Sequence, residues 1–152
     1  MKNLTIFSLL ILFLVSCTKD PIIDDTPIQD TPGFSLKLDG KKWTPKTYYF
    51  LTRNGLSTIF ASDNVYTFSW VFDSDLKVKT YTLGLKENQL ISSMYKNEGN
   101  KLKTYDIQSG KLEIQKYDAD KQILKAAFSF TAKYGNETVE VKDGKLYIDK
   151  FK

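Results

Sequence analysis

Two hydrophobic patterns divide the chain, one continuous and one alternating. Residues 4–15 are almost wholly apolar, broken only by Thr5 and Ser8, and they follow the positively charged Lys2. A membrane-spanning helix needs about 20 such residues. The shorter run fits the apolar region of a secretory signal, which takes roughly 7–15. Beyond Gly33 the period becomes two. Tyr66, Phe68, Trp70 and Phe72 fall on one face of an extended segment, and Val65, Thr67, Ser69 and Val71 on the other. Leu124, Ala126, Phe128, Phe130 and Ala132 alternate in the same way with Lys125, Ala127, Ser129 and Thr131. Alternation of this kind makes strands with one strongly apolar face.

Turn dipeptides separate the alternating runs. Asp39-Gly40, Asn54-Gly55 and Asp143-Gly144 are tight-hairpin signals, and Asp63-Asn64, Ser109-Gly110, Asp118-Ala119-Asp120 and Gly135-Asn136 are looser ones. The spacing predicts strands at 34–38, 41–44, 48–52, 58–62, 65–72, 78–84, 91–95, 103–108, 111–117, 123–133, 138–141 and 145–149. The sole helical pattern, at 86–98, overlaps one of these and amounts to a turn or two. Many short strands joined by hairpins predict an all-β fold, a single antiparallel β-sandwich or flattened barrel over residues 34–152.

Composition adds an organisation in front of that domain. Residues 18–33 hold three of the four prolines (Pro21, Pro27, Pro32) and four aspartates against one lysine, net −3. This composition reads as an extended, flexible tether. From Phe34 onward the chain holds 20 of the 22 basic and 14 of the 18 acidic residues, net +6. The lysines are spread singly along the strands. Nucleic-acid binding needs them clustered, so no nucleic-acid partner is expected. Contact with anionic glycan or lipid headgroups stays open.

Cys17 is the only cysteine, and disulfides need an even set. It closes the segment Leu14-Val15-Ser16-Cys17, directly after the apolar run. These four residues resemble the lipobox of bacterial lipoproteins, in which a diacylglycerol is attached to the cysteine and cleavage falls just before it. The resemblance implies a signal peptide at 1–16, an acylated Cys17 opening a tether at 17–33, and a membrane partner reached through that lipid. Each buried methylene contributes about 0.8 kcal/mol, so two or three acyl chains anchor stably. Asp20, Asp24 and Asp25 after the cysteine resemble a dilute surface-export signal of Bacteroidota-type lipoproteins. The expected address is the outer membrane, facing the periplasm or the cell surface.

The chemistry is mostly defined by what is missing. There is no histidine, which removes Ser-His-Asp catalysis and every His-ligated zinc or haem site. The one thiol is assigned to lipid, and no Gly-rich loop precedes a helix. No cofactor, metal or catalytic residue is expected, and the chain is not expected to be an enzyme. Carboxylates are the remaining candidates. Asp73 and Asp75 flank Ser74 at the end of the most aromatic strand; a glycosidase pair sits about 5–10 Å apart, but Asp-Ser-Asp also makes a turn by bonding its own backbone. Asp118 and Asp120 have part of a calcium-loop spacing without the glycine or the closing glutamate.

Aromatic residues are the other candidates. Trp43, Tyr48 and Tyr49 lie close together in sequence and are the candidate ligand-binding patch, since exposed rings stack on sugars. The competing assignment places one face of each strand in the core, with tyrosine hydroxyls at its rim.

Two segments carry a family resemblance. Phe34-Ser-Leu-Lys-Leu-Asp-Gly-Lys-Lys-Trp43-Thr-Pro resembles an opening hairpin, and Gly110-Lys-Leu-Glu-Ile, Phe128-Ser-Phe-Thr-Ala132 and Val141-Lys-Asp-Gly144-Lys-Leu a closing block, of small Bacteroidota lipoproteins of unknown function. Ala126-Ala127 and Leu146 depart from that pattern. The likeness spans about a third of the chain and implies an all-β fold and an envelope address, with no activity. The function expected is therefore a non-enzymatic envelope module binding a glycan or another envelope protein. The alternatives are a calycin-like carrier or inhibitor around a small apolar ligand, and a carboxylate-based glycan hydrolase.

Overall fold

A computed structural model describes Ile28 and residues 30–73, 76–84 and 90–152, the side chains of Asp73 and Leu90 excepted. The expected signal segment, Cys17 and most of the expected tether lie outside the described residues.

Ten strands make the domain: β1 (Gly33–Leu38), β2 (Lys41–Trp43), β3 (Thr47–Arg53), β4 (Leu56–Ser62), β5 (Tyr66–Asp73), β6 (Thr80–Leu83), β7 (Leu90–Glu98), β8 (Lys101–Asp118), β9 (Ile123–Tyr134) and β10 (Glu137–Ile148). They form one antiparallel sheet in the order β2-β1-β10-β9-β8-β7-β5-β4-β3, with β6 also on β8. The sheet curls strongly, into a half-barrel. The long β8 is what bends it. Its first part pairs with β7 up to Tyr105, and its second pairs with β6 from Gly110 to Glu113. On its other side β9 runs along it from Asp106 to Asp118.

Local chemistry explains two of the turns. Asp39 (φ 48°) and Gly40 (φ 77°) link β1 to β2, and Asn54 (φ 52°) and Gly55 (φ 76°) link β3 to β4. Two successive left-handed residues make the type I′ turn, whose twist matches paired strands.

The other glycine signals mean something else. Asp143-Gly144 and Ser109-Gly110, predicted as turns, are irregularities inside continuous strands. The register shifts between Val141 and Gly144 in β10, and between Ile107 and Ser109 in β8. A methyl group on Gly144 would lie 2.3 Å from the Phe128 ring, and one on Gly110 would lie 2.3 Å from Cβ of Phe130. Both glycines serve close approach to β9, not chain reversal. The predicted strand pairs at 103–117 and 138–149 are therefore single strands, and twelve predicted strands become ten.

The helical pattern at 86–98 is also corrected: residues 90–98 are β7. That strand pairs with β5 on one side and β8 on the other. Two ladders of backbone bonds, and Met94 fully buried in the core, outweigh a weak local preference.

The concave side holds the core. Phe128 is the hub, 5.5 Å from the Phe34 ring and 4.9 Å from Trp70. Phe130 meets Phe68 at 6.0 Å and Trp70 at 6.3 Å, both edge to face, the geometry that aromatic quadrupoles favour. The Trp70 indole N–H has no hydrogen-bond acceptor among the described residues.

The edges of the sheet are guarded differently. β2 is only three residues long and carries exposed Lys41 and Lys42, two devices that discourage edge pairing. At β3, the last residues of the chain cross the edge. The backbone N–H of Lys152 donates to the Phe50 carbonyl at 2.9 Å, and the Phe151 ring lies 4.6 Å from that of Phe50.

Gly144→Ala tests the close approach. It forces the buried Phe128 ring to move, and overpacking of this kind costs about 1–3 kcal/mol. Urea unfolding is expected to show a lowered midpoint; an unchanged midpoint means the ring yields freely.

Candidate binding surfaces

The three aromatic residues singled out in the sequence do not form one patch. Neighbouring residues on a strand face opposite ways. Tyr48 lies opposite core Ala61, and Tyr49 lies opposite outward-facing Phe60. Tyr48 turns inward, 6.1 Å from Phe34. Trp43 turns inward as well, 5.1 Å from Phe68 and 6.1 Å from Phe34. Its indole N–H donates to Asp63 Oδ2 at 2.7 Å. The other Asp63 oxygen accepts from the backbone N–H groups of Val65 and Tyr66, so one carboxylate ties the β4–β5 turn to β2. Nothing in the sequence signals the Trp43–Asp63 bond, which joins residues 20 apart.

Tyr49 alone stands on the outer face. It stacks on Phe60 with ring centroids 4.9 Å apart and planes 18° from parallel. The Lys152 ammonium lies 4.9 Å over the same ring. With Phe60 against one side of the ring, the ammonium takes the other.

The face around Tyr49 differs from the rest of the surface. Its outward positions are Tyr49 and Leu51 on β3; Leu56, Thr58, Phe60 and Ser62 on β4; Thr67, Ser69 and Val71 on β5; and Ile91, Ser93 and Tyr95 on β7. Leu102 and Thr104 of β8 continue it. None of these carries a charge. Arg53, and Asp73 by register, stand at one rim. Ile91 is 67% exposed and Leu102 64%. Sequence reading missed this face because every strand in it looked ordinary. Its signal was the outward set of each strand, read together: in β4 that set is Leu, Thr, Phe and Ser, where β10 has Glu140, Lys142 and Lys145.

Across the core, the outer face of β1, β10, β9 and β8 is charged. It carries Lys37, Lys111, Glu113, Lys125, Lys142 and Lys145. A cavity of about 300 Å³ opens on this side, between the strands and Ile28, Thr31 and Pro32. The inside of the curl, where a carrier would hold an apolar ligand, is occupied by the Phe34, Phe68, Trp70, Phe128 and Phe130 side chains.

Of the carboxylate candidates, the side chain of Asp73 and the whole of Asp75 lie outside the described residues. Asp118 accepts from the Lys121 backbone N–H at 3.0 Å and pairs with the Lys121 ammonium at 3.6 Å, as a turn residue does; these contacts hold its carboxyl below the usual range. Asp120 is exposed on the same turn. Among the described residues no three His, Cys, Asp or Glu side chains gather as a metal site.

An ionic clasp joins two hairpins at one end of the sheet. Glu137 of β10 accepts from the buried Tyr105 hydroxyl at 2.5 Å and from the Lys103 ammonium at 2.9 Å. Lys96 pairs with Glu98 at 2.8 Å and with Glu137 at 3.4 Å. The Tyr105 bond, then Lys103, pulls the Glu137 carboxyl down to about 2. Burial, reinforced by Glu137, pushes the Tyr105 phenol up to about 12. A carboxylate this hard to protonate is unsuited to general acid catalysis, and the cluster acts as a fastener.

The sign of its pH dependence follows. A carboxyl with a lowered folded-state value adds stability above its ordinary value near 4.5, and loses it as the pH falls toward about 2. Denaturant unfolding at pH 5 and at pH 2.5 is expected to show a smaller acid loss in Glu137→Gln than in the wild type. Equal losses would remove the clasp from the account.

Comparison with known families identifies one match. A family model described as a domain of unknown function, DUF6252, matches residues 30–148, an interval that takes in all ten strands. Searches of curated proteins and of solved structures return no match. The segments that carried the sequence resemblance fall inside the matched interval, where Phe34, Trp43, Phe128, Phe130 and Leu146 meet in or against one core. The chain belongs to the DUF6252 family.

Proposed function

We propose that the protein is a lipid-anchored protein of the bacterial cell envelope whose β domain binds a partner protein and catalyses no reaction. The anchor rests on Leu14-Val15-Ser16-Cys17 at the end of the apolar run. Bacteroidota origin and outer-membrane placement rest on the sequence resemblance alone.

The binding role rests on one observation, the uncharged outer face of β3, β4, β5 and β7. In a chain that is 26% charged, a four-stranded face without a charge in its middle can meet another surface without stripping water from ions. Its apolar members, Leu51, Leu56, Phe60, Val71 and Ile91, are those that interface cores use.

The geometry favours a protein surface over a sugar. Sugar stacking needs an open ring face, and Phe60 and Lys152 take both sides of Tyr49. The size points to a transient contact. Four strands of about seven residues span roughly 19 by 24 Å, or about 450 Å², against about 800 Å² per partner for a stable complex.

A charge placed at the middle of the face tests this reading. Val71→Glu is expected to abolish cross-linking between the full-length protein and its envelope partner in intact cells, while Lys111→Glu on the opposite face leaves it intact. Cross-links that persist in Val71→Glu, or vanish equally in both, refute the assignment. Radiolabelled fatty acid should enter the wild type and not Cys17→Ala.

A further inference from the structure

We propose that the cavity beside β1 is a second binding site, for a small hydroxylated carboxylate of sugar-acid size. It lies across the core from the uncharged face and does not depend on that face having a partner.

Strand register explains why a cavity forms there. On the outer side of the sheet, Gly33 lies opposite Tyr147, and Ser35 lies opposite Lys145. Leu36 pairs with Trp43, which brings Thr44 alongside Ser35. Gly33 and Ser35 are a glycine and the smallest hydroxyl residue, while Tyr147, Lys145 and Lys42 are long. The small residues make a floor and the long ones make walls. Ile28, Thr31 and Pro32 flank the remaining side of this half-open cleft, whose volume is about 300 Å³, at the small end of ligand sites.

One surface ion pair links the chain that forms this roof to the sheet. Asp30 pairs with the Lys125 ammonium at 2.9 Å. The same ammonium lies 4.5 Å over the Tyr147 ring, so the roof and the wall share one cation.

The chemistry of the lining selects the ligand. Thr31, Ser35, Thr44 and Tyr147 offer hydroxyls, Lys42 offers an ammonium group, and Lys145, which has an interaction of its own, lines the wall. Among the described residues no carboxylate lines the cavity. The nearby carboxylates are already engaged, Asp30 by Lys125 and Asp143 by Lys37 at 2.7 Å. Lys42 has no hydrogen bond or ion pair among the described residues, and it stands at the rim of the cavity. A site with the Lys42 cation and several hydroxyls, and with no lining anion among the described residues, suits a carboxylate that carries several hydroxyls, one ring in size. A bare anion leaves the hydroxyls without partners.

Three probes separate these features: galacturonate has both the charge and the hydroxyls, galactose has the hydroxyls alone, and acetate has the charge alone. Each is titrated into the purified full-length protein while the backbone amide signals of Gly33, Ser35, Thr44, Lys145 and Tyr147 are followed. Galacturonate is expected to shift these signals saturably. Galactose and acetate are each expected to bind roughly tenfold more weakly or worse, since a hydrogen bond to a charged group is worth about that factor. Lys42→Ala, at an exposed position outside the core, is expected to weaken galacturonate about tenfold with no change in melting temperature. The proposal is overturned if galacturonate shifts none of these amides, if galactose or acetate matches it, or if Lys42→Ala binds as tightly as the wild type.

Discussion

The Phe128 ring lying on Gly144 is the contact on which the rest of the domain depends. β9 runs through the middle of the curled sheet, with β8 on one side and β10 on the other. Its inward side chains, Phe128 and Phe130, reach across the curl to Phe34 from β1 and to Phe68 and Trp70 from β5. That reach is possible because β10 and β8 have no side chain at Gly144 and Gly110. The aromatic rings can then settle against the backbone, and the two ends of the sheet are drawn together around them. Close packing of this kind leaves little tolerance for added volume.

A sheet curled around one core has two outer faces, and in this chain they have different chemistry. The side formed by β1, β10, β9 and β8 is rich in lysine, and the cavity lies there between long side chains. The side formed by β3, β4, β5 and β7 has no charged side chain in its middle, its charges standing at the β3 edge and the rim, and it carries half-buried rings and exposed aliphatic groups. The inward positions explain stability and are ordinary for a β domain. The outward ones differ between the two halves, and a difference that folding does not require is where binding is to be sought. The proposed partner face and the proposed sugar-acid cavity occupy opposite halves for this reason.

Much of the fold was legible in the sequence. Period-two alternation located every strand, because it reports burial directly. Asp39-Gly40 and Asn54-Gly55 were read correctly as tight turns. Asp143-Gly144 was not, because a glycine needed under a neighbouring ring looks the same in sequence as one needed for a turn. Residues 90–98 were ambiguous for a related reason: their pairing with β5 and β8 is non-local. The sites were less legible. Trp43, Tyr48 and Tyr49 are neighbours along the chain, but the pleat separates Tyr48 from Tyr49, and Asp63 holds the Trp43 indole. The cavity depends on a cross-strand register that joins residues more than 100 positions apart, and no local pattern records that.

Hydrogen exchange of the full-length protein tests the central claim most directly, since exchange follows local opening. If β9 and its contacts with Gly144 and Gly110 hold the domain together, the amides of Ala126, Phe128 and Phe130 are expected to exchange slowest, and those at the edges in β2 and β3 fastest. Edge amides as slow as those of β9, or a β9 that opens before β4 and β5, would contradict it.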